Sequence, residues 1–522
     1  AMIGSRLKPA LAVALGLALL LAWRCWQVLH SGAGLHVDEA QYWYWSSRPL
    51  EWGYFSKPPL LVGLIRLSTD LFGHGLLGVK ALAMVAWLLA SAVLWRLGAA
   101  MGSERAGLIA AALLAATPAS GLLGLSATTD SVLMLFWSLV MWGSWRAAHA
   151  EGAVAWRWWA LTGLALGLGL LSKYTAGALS LSALWLLWRC PPARRGQLLA
   201  GLALAAGIAI LLLLPHLFWN MHNGWPTLHH TLDITVQGGA ASAADRAAGW
   251  GHKLGSAAEF GLGQLLLLGP AGLAVLALAW KRRHQPVVQP ATTATPALWS
   301  ALDYAWTFAW PLLALGLLQA LRAKAQVNWA LPALLGICLA AGWLAVRSKI
   351  SGKVLATWVL AGLLLSAAIA QGGDLRRWIG RPAAAGKPAW DIWSRMRGWH
   401  EALGALAPAL APHRDLPWVT SDRTLLVQIG YELRALQPEL RSWSPGGQVR
   451  HHFDWKQPLR PEAAPAALVF LGDEAPDAAL LALYPLVRPL AEAESGRVKL
   501  QAWLLERPGT ALATLTPTGQ HP

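Results

Sequence analysis

Residues 36–60, HVDEAQYWYWSSRPLEWGYFSKPPL, set two adjacent carboxylates, a cluster of aromatic rings and a lysine between long apolar runs. A charged side chain near bilayer depth costs about 3 kcal/mol or more, so Asp38, Glu39 and Lys57 mark a candidate site if the chain around them is a membrane protein. It reads as one. Of 522 residues, 56% are hydrophobic and only 13% charged, and the mean hydropathy is +0.43. That is more apolar material than a water-soluble chain can bury, and it predicts an α-helical polytopic membrane protein.

Apolar runs of roughly 17 to 25 residues predict about eleven spans. They lie near 9–29, 76–98, 106–126, 129–148, 157–171, 173–189, 198–219, 257–280, 300–321, 327–346 and 353–370. The first is too long in its apolar core for a cleaved signal peptide. After residue 370 the composition shifts to Pro, Ala and Arg, and GRPAAAGKP at 380–388 reads as a linker. The chain thus divides into a membrane domain, 1–370, with loops at 30–75 and 220–256, and a small soluble mixed α/β domain, 371–522. In the latter, 416–421, 466–471 and 497–507 read as strands and 392–407 as an amphipathic helix.

The net charge of +16 raises the question of nucleic acid, but the basic residues fall mainly in alternate short loops. Arg6 and Lys8, Arg96 and Arg105, Arg146 and Arg157, Arg194 and Arg195, Arg282 and Arg283, and Arg347 and Lys349 share one side. This is the positive-inside pattern, with a cytoplasmic N-terminus and both the first loop and the C-terminal domain outside the cytoplasm. No nucleic-acid partner is implied; membrane lipids are. Cys25, Cys190 and Cys338 lie in or at the ends of spans, so no disulfide framework follows.

Lys57, Arg66, Lys173, Arg322 and Lys324 break the charge rule by falling on the outer side. Snorkelling or headgroup contact would account for them. So would a pocket for a lipid phosphate, whose oxygens accept charge-assisted hydrogen bonds. Asp38 and Glu39 could act as a general base, bind a metal, or pair with Arg48 or Lys57. Side chains of adjacent residues point about 100° apart on a helix, so one of the two would face a given substrate atom. Asp130, in SATTDSVLM, is a third candidate carboxylate or a helix cap. His216, His222, His229 and His230 in the second loop, and HHFDW at 451–455, lack a strong metal-ligand spacing.

Taken in order, HVDEAQYWYW, GYFSKPPL, TTDSVLMLFW, GLALGLGLLSKYTAG, PHLFWNMHNGW and VNWALPA resemble the GT-C glycosyltransferases, in particular the bacterial branch akin to protein O-mannosyltransferases and lipid A aminoarabinose transferases (glycosyltransferase family 39). The resemblance covers most of the chain. It implies a sugar donor carried on a polyprenyl phosphate such as undecaprenyl phosphate, an acceptor in the cell envelope (lipid A, lipopolysaccharide, another glycan or a protein) and inversion at the anomeric carbon. It also implies that Asp38 matches the catalytic carboxylate and that Lys57 lies near the donor phosphate. Lys173 with Arg322 or Lys324 would complete the phosphate site, so no metal or other cofactor is obligatory. Tyr42, Trp43, Trp52 and Tyr54 could stack on sugar faces or form an interfacial belt, and His216, Asn220 and Asn328 would line the substrate site. The Trp-rich LEWGY segment at 50–54 departs from the aminoarabinose transferases and leaves the sugar open. A flippase for a lipid-linked sugar would need a similar basic pocket, but also polar residues at mid-membrane. A non-catalytic subunit would tolerate loss of Asp38.

Overall fold

Proline, glycine and a few polar side chains decide where the helices stop. The computed structural model describes residues 2–234, 249–282, 298–371 and 391–507, the side chains of residues 2–8 aside. Two units emerge: Ala1–Gly32 with Trp45–Ile392, and Ala33–Tyr44 with Trp393–Pro522. The second therefore includes part of the segment that the sequence assigns to the first loop, and the linker at 380–388 lies outside the described residues.

The helices of the membrane part are α1 (Met2–His30), α2 (Val37–Ser46, its first eight residues in the second unit), α3 (Leu60–Phe72), α4 (Leu76–Ala100), α5 (Glu104–Ala116), α6 (Pro118–Leu122), α7 (Thr129–Ala148), α8 (Gly152–Ser172), α9 (Leu179–Arg189), α10 (Pro192–His222), α11 (Pro226–Leu232), α12 (Trp250–Lys281), α13 (Ala301–Thr307), α14 (Trp310–Arg322), α15 (Ala333–Arg347) and α16 (Gly352–Ala370). Among the described residues, seven spans are long and apolar enough to cross a membrane, or eight if the bent stretch 104–125 is one. The chain is a multi-pass membrane protein, but the expected count of about eleven is not supported on that measure. Helix α9 has only 11 residues because an extended Lys173 and a 3-10 turn over Tyr174–Ala178 precede it. Helix α15 has 15, after the turn Val327–Ala330. Helix α7 carries Asp130 and Arg146 at its ends.

At Thr117-Pro118 the chain bends by 56°. The Thr117 hydroxyl accepts the Ser120 N–H (3.1 Å), and Pro118 opens α6 where its missing N–H is not needed. Carbonyls left open where the short α6 ends are met by Arg24 of α1, which is 2% exposed and donates to Ser120 O (3.1 Å), Ser120 Oγ and Gly124 O (3.4 Å). Helix α12 kinks at Gly269 (φ 74°), where a Cβ would lie 2.4 Å from Pro118 Cδ, so the two kinks nest. Apolar burial gives little drive between helices in lipid, and small residues at contacts let the helices pack closely: Gly98 faces Gly107, and Gly342 faces Ala106. Helix α8 packs against α7 and α10, and α5 against α4 and α15, around buried Trp87, Leu94, Leu114, Met134 and Trp137.

The second unit holds a five-stranded sheet with β1 (Trp418–Thr420), β2 (Leu440–Ser442), β3 (Ala467–Gly472), β4 (Leu486–Ser495) and β5 (Val498–Glu506) in the order β2-β1-β3-β5-β4. The first three are parallel and the last two pairings antiparallel. Its helices are α17 (Trp399–Leu410), α18 (Arg423–Glu432), α19 (His452–Lys456) and α20 (Ala478–Leu483). The expected strands at 416–421 and 497–507 contain β1 and β5, and that at 466–471 covers β3 except Gly472. The expected helix from 392 starts later, at Trp399, because Gly398 is left-handed (φ 86°). Strand β4 escapes a reading by alternation, being an exposed edge broken at Pro489.

Candidate active site

In the first unit, two helix ends bring opposite charges together. Asp130 sits in the first turn of α7, where the helix dipole favours an anion, and Lys173 follows the last turn of α8, where it favours a cation. Lys173 Nζ donates to Asp130 Oδ1 at 2.7 Å, and Asn328 Nδ2 donates to Oδ2 at 3.1 Å. The capping expected of Asp130 is done instead by Thr128, whose hydroxyl accepts the Ser131 N–H.

Lys173 and Tyr174 line a cavity of about 460 Å³ together with Lys57, His230 and Arg322. Leu312, Leu315, Ile234 and Trp329 supply apolar wall. Three cations and apolar walls on one lining suit the cavity to an anion with an apolar tail.

The loop carrying Lys57 is fastened to the end of α10 and to α11. Trp219 Nε1 donates to Glu51 Oε2 (2.9 Å), Thr227 Oγ1 donates to Tyr54 O (2.6 Å), and His216 Nδ1 lies 2.6 Å from Trp52 O. A carbonyl only accepts, so Nδ1 carries the proton and Nε2 accepts from the Tyr174 hydroxyl. Gly53 passes so close that a Cβ would stand 2.4 Å from the Trp219 ring.

In the second unit, Asp38 and Glu39 have separate work. Glu39 is fully buried, and its Oε2 accepts the His36 N–H (2.9 Å), while His36 Nδ1 accepts the Asp38 N–H (3.3 Å). This is a capping box with histidine in the Ser/Thr place. Asp38 is 42% exposed at its side chain. Arg423, the first residue of α18, donates Nη2 to Asp38 Oδ1 (3.1 Å) and Nη1 to Gln41 Oε1 (3.0 Å). Oδ2 of Asp38 accepts no hydrogen bond among the described residues and lies 3.9 Å from His36 Nδ1. One carboxylate oxygen is held and the other is open.

Residues 56–219 match the family model for dolichyl-phosphate-mannose-protein mannosyltransferase. The lipid A galacturonosyltransferase RgtD of Rhizobium johnstonii is 25% identical over 486 aligned positions, covering 88% of this chain and 91% of that protein. The crystal structure of ArnT from Cupriavidus metallidurans bound to undecaprenyl phosphate has the same fold, with a TM-score of 0.61 at 16% identity over 93% of this chain and 97% of that one. The apo ArnT structure gives 0.61 at 15% identity over 94% and 98%. The chain is thus similar in sequence to membrane glycosyltransferases and shares the fold of ArnT.

Within this fold the residues singled out from sequence fall into groups. Lys57, Lys173 and Arg322 share the cavity, while Lys324 is not among its lining residues. Arg66 is tied to Asp70 (3.0 Å) and Ser46 O (3.3 Å). Of the four aromatic residues expected to stack on sugar, Tyr42, Trp43 and Tyr54 are 2–4% exposed, Trp43 packing edge-on to Tyr431 and Tyr54 stacking on Trp45; Trp52 is 60% exposed. Stacking by the three buried rings is therefore corrected to packing. His216 and Asn220 are buried behind Tyr174, and Asn328 orients Asp130. Glu39 as a base is corrected to a cap, because its carboxylate is enclosed and engaged. Pairing of the first-loop carboxylates with Arg48 or Lys57 was one alternative; for Asp38 the cation is Arg423. Arg423 and Tyr174 were not foreseen. A signal for Arg423 exists in SDRTLL, where an arginine opens a capped helix against its dipole.

Proposed function

We propose that this protein transfers a sugar from a polyprenyl-phosphate donor to a hydroxyl or phosphate of lipid A or a related envelope glycolipid, with inversion, on the outer face of the bacterial inner membrane. The observation that carries the reading is the cavity that combines Lys57, Lys173 and Arg322 with apolar walls, in a fold shared with a protein crystallised with undecaprenyl phosphate. The likeness to a lipid A galacturonosyltransferase supports the acceptor class. The orientation rests on the positive-inside pattern.

With a hydroxyl acceptor, Asp38 takes the hydroxyl proton through its open oxygen as the acceptor oxygen bonds to the anomeric carbon and the bond to the phosphate oxygen breaks. The departing phosphate goes from a singly charged diester to a more highly charged monoester. Cations already in place stabilise that increase without reorganising. The proposed chemistry uses side chains alone and no metal. A phosphate acceptor, already ionised, would not need the base. The mannosyltransferase family match favours a second reading, a protein hydroxyl as acceptor.

The test is transfer by purified full-length protein in lipid, from a panel of radiolabelled polyprenyl-phosphate sugars to lipid A and to peptide acceptors, beside Asp38→Asn and Lys57→Ala. Labelled lipid A from one donor, lost in both variants, is expected. Labelled peptide would select the second reading. A donor that binds and is neither transferred nor hydrolysed would sink both.

A further inference from the structure

Helix α18 opens with an arginine, although the first turn of a helix disfavours a cation. Its N-cap is Asp422, whose carboxylate accepts the Thr424 N–H at 2.8 Å, so the arginine is not needed to close the helix. Its guanidinium reaches instead to Asp38 Oδ1 (3.1 Å) and Gln41 Oε1 (3.0 Å). Residues three apart share a helix face, so the two acceptors are matched to the two arms of a planar fork. Further along α18, Gln428 Nε2 donates to Leu35 O (2.9 Å), and Tyr431 packs edge-on against Trp43. The whole segment 33–44 thus lies along α18, and the arginine is the member of that bed that grips a carboxylate.

We propose that Arg423 is a positioning residue for the transfer: it fixes Asp38 by Oδ1 and Gln41, which leaves Oδ2 as the atom presented to the acceptor. This rests on the reading of Asp38 as the base. The C-terminal unit then supplies part of the catalytic apparatus through a residue that touches no substrate. Lysine in its place keeps the charge on Oδ1 but loses the second arm; glutamine loses the charge.

The experiment compares wild type, Arg423→Gln, Arg423→Lys and Asp38→Asn as full-length proteins in lipid, measuring kcat and KM for the donor and the thermal midpoint. A displacement of about 1 Å at a reacting group costs up to about 100-fold in rate. Arg423→Gln is therefore expected to lower kcat about 10- to 100-fold with KM within about twofold, and Arg423→Lys to recover much of that rate. An unchanged or raised kcat in Arg423→Gln would overturn the proposal, as would a change confined to KM. A lower kcat that tracks a falling thermal midpoint in both Arg423 variants, without recovery in the lysine form, would also overturn it, in favour of a merely structural contact. Asp38→Asn separates the two readings: full activity there removes the base assignment itself, whatever Arg423 does.

Discussion

Lys173 Nζ stands 2.7 Å from Asp130 Oδ1, with the two side chains 16% and 7% exposed. Two charges so enclosed hold each other in place, and removing one leaves the other without compensation, a loss of about 3 to 5 kcal/mol in buried pairs. Asp130→Asn should lower the thermal midpoint in detergent more than Asp130→Asn combined with Lys173→Met. A double-mutant cycle on thermal melts checks this. Additive effects would show that the pair is not coupled.

The cavity cations should act mainly on the departing phosphate. Lys57→Ala and Arg322→Ala, each removing one preorganised charge, should lower kcat by about 100- to 1,000-fold. Lys324→Ala, outside the cavity lining, should change it little. Steady-state transfer with a fixed acceptor concentration checks the contrast. Equal losses in all three variants would refute the distinction drawn between Arg322 and Lys324.

Much of this was legible in the sequence because charge in an apolar chain is conspicuous. Lys57, Lys173 and Arg322 stood out as exceptions to a bias, and the structure brings them to one cavity. The span count was less legible, because hydropathy does not register where a helix stops: α9 and α15 are shortened by turns at Tyr174–Ala178 and Val327–Ala330 that remain apolar. The division between Asp38 and Glu39 was foreseen only as a 100° separation, since which face is enclosed depends on α18, nearly 400 residues away in the chain. Ring burial was hidden for the same reason. An aromatic-rich helix reads alike whether its rings meet lipid, sugar or a distant tyrosine.

Gly53 admits no larger residue. A Cβ there would lie 2.4 Å from the Trp219 ring and 2.9 Å from His216 Nδ1. Both belong to the fastening that holds the Lys57 loop to α10, so the ring must move and its bond to Glu51 with it. Gly53→Ala should cost about 1 to 3 kcal/mol of stability, the range for overpacking, and weaken donor binding. Gly53→Ala combined with Trp219→Phe, which frees space, should recover part of both. Thermal melts with binding of a fluorescent polyprenyl phosphate read the two effects. Wild-type melting and binding in Gly53→Ala would contradict the fastening.

The proposed reaction draws its charge stabilisation from side chains, so it should survive chelation. Turnover by protein treated with excess EDTA is expected to match the untreated rate. Loss of turnover that returns on adding a divalent ion would assign part of the phosphate stabilisation to a metal.

Acid should loosen the C-terminal unit. Burial lowers the pKa of the His452 imidazole to about 3, helped by the charges of Lys456 and His451, and burial lowers that of His451 as well. Asp454 is pushed up by burial, but hydrogen bonds from Ser442 and Arg450 outweigh this and hold its carboxyl below the usual range. The sign is the same for all three. Unfolded histidine takes a proton below about pH 6.5 and unfolded aspartate below about pH 3.9, while the folded groups take theirs at lower pH. The unfolded state therefore binds more protons, and stability falls as pH falls. The contribution of His452 is complete above about pH 6.5 and declines toward about pH 3 by up to about 1.4 kcal/mol per unit. Asp454 adds its loss only below about pH 4. Thermal melts of the full chain between about pH 7 and pH 5 should show the histidine part alone, and His452→Leu should flatten the slope. A slope unchanged by that substitution would place the acid sensitivity elsewhere.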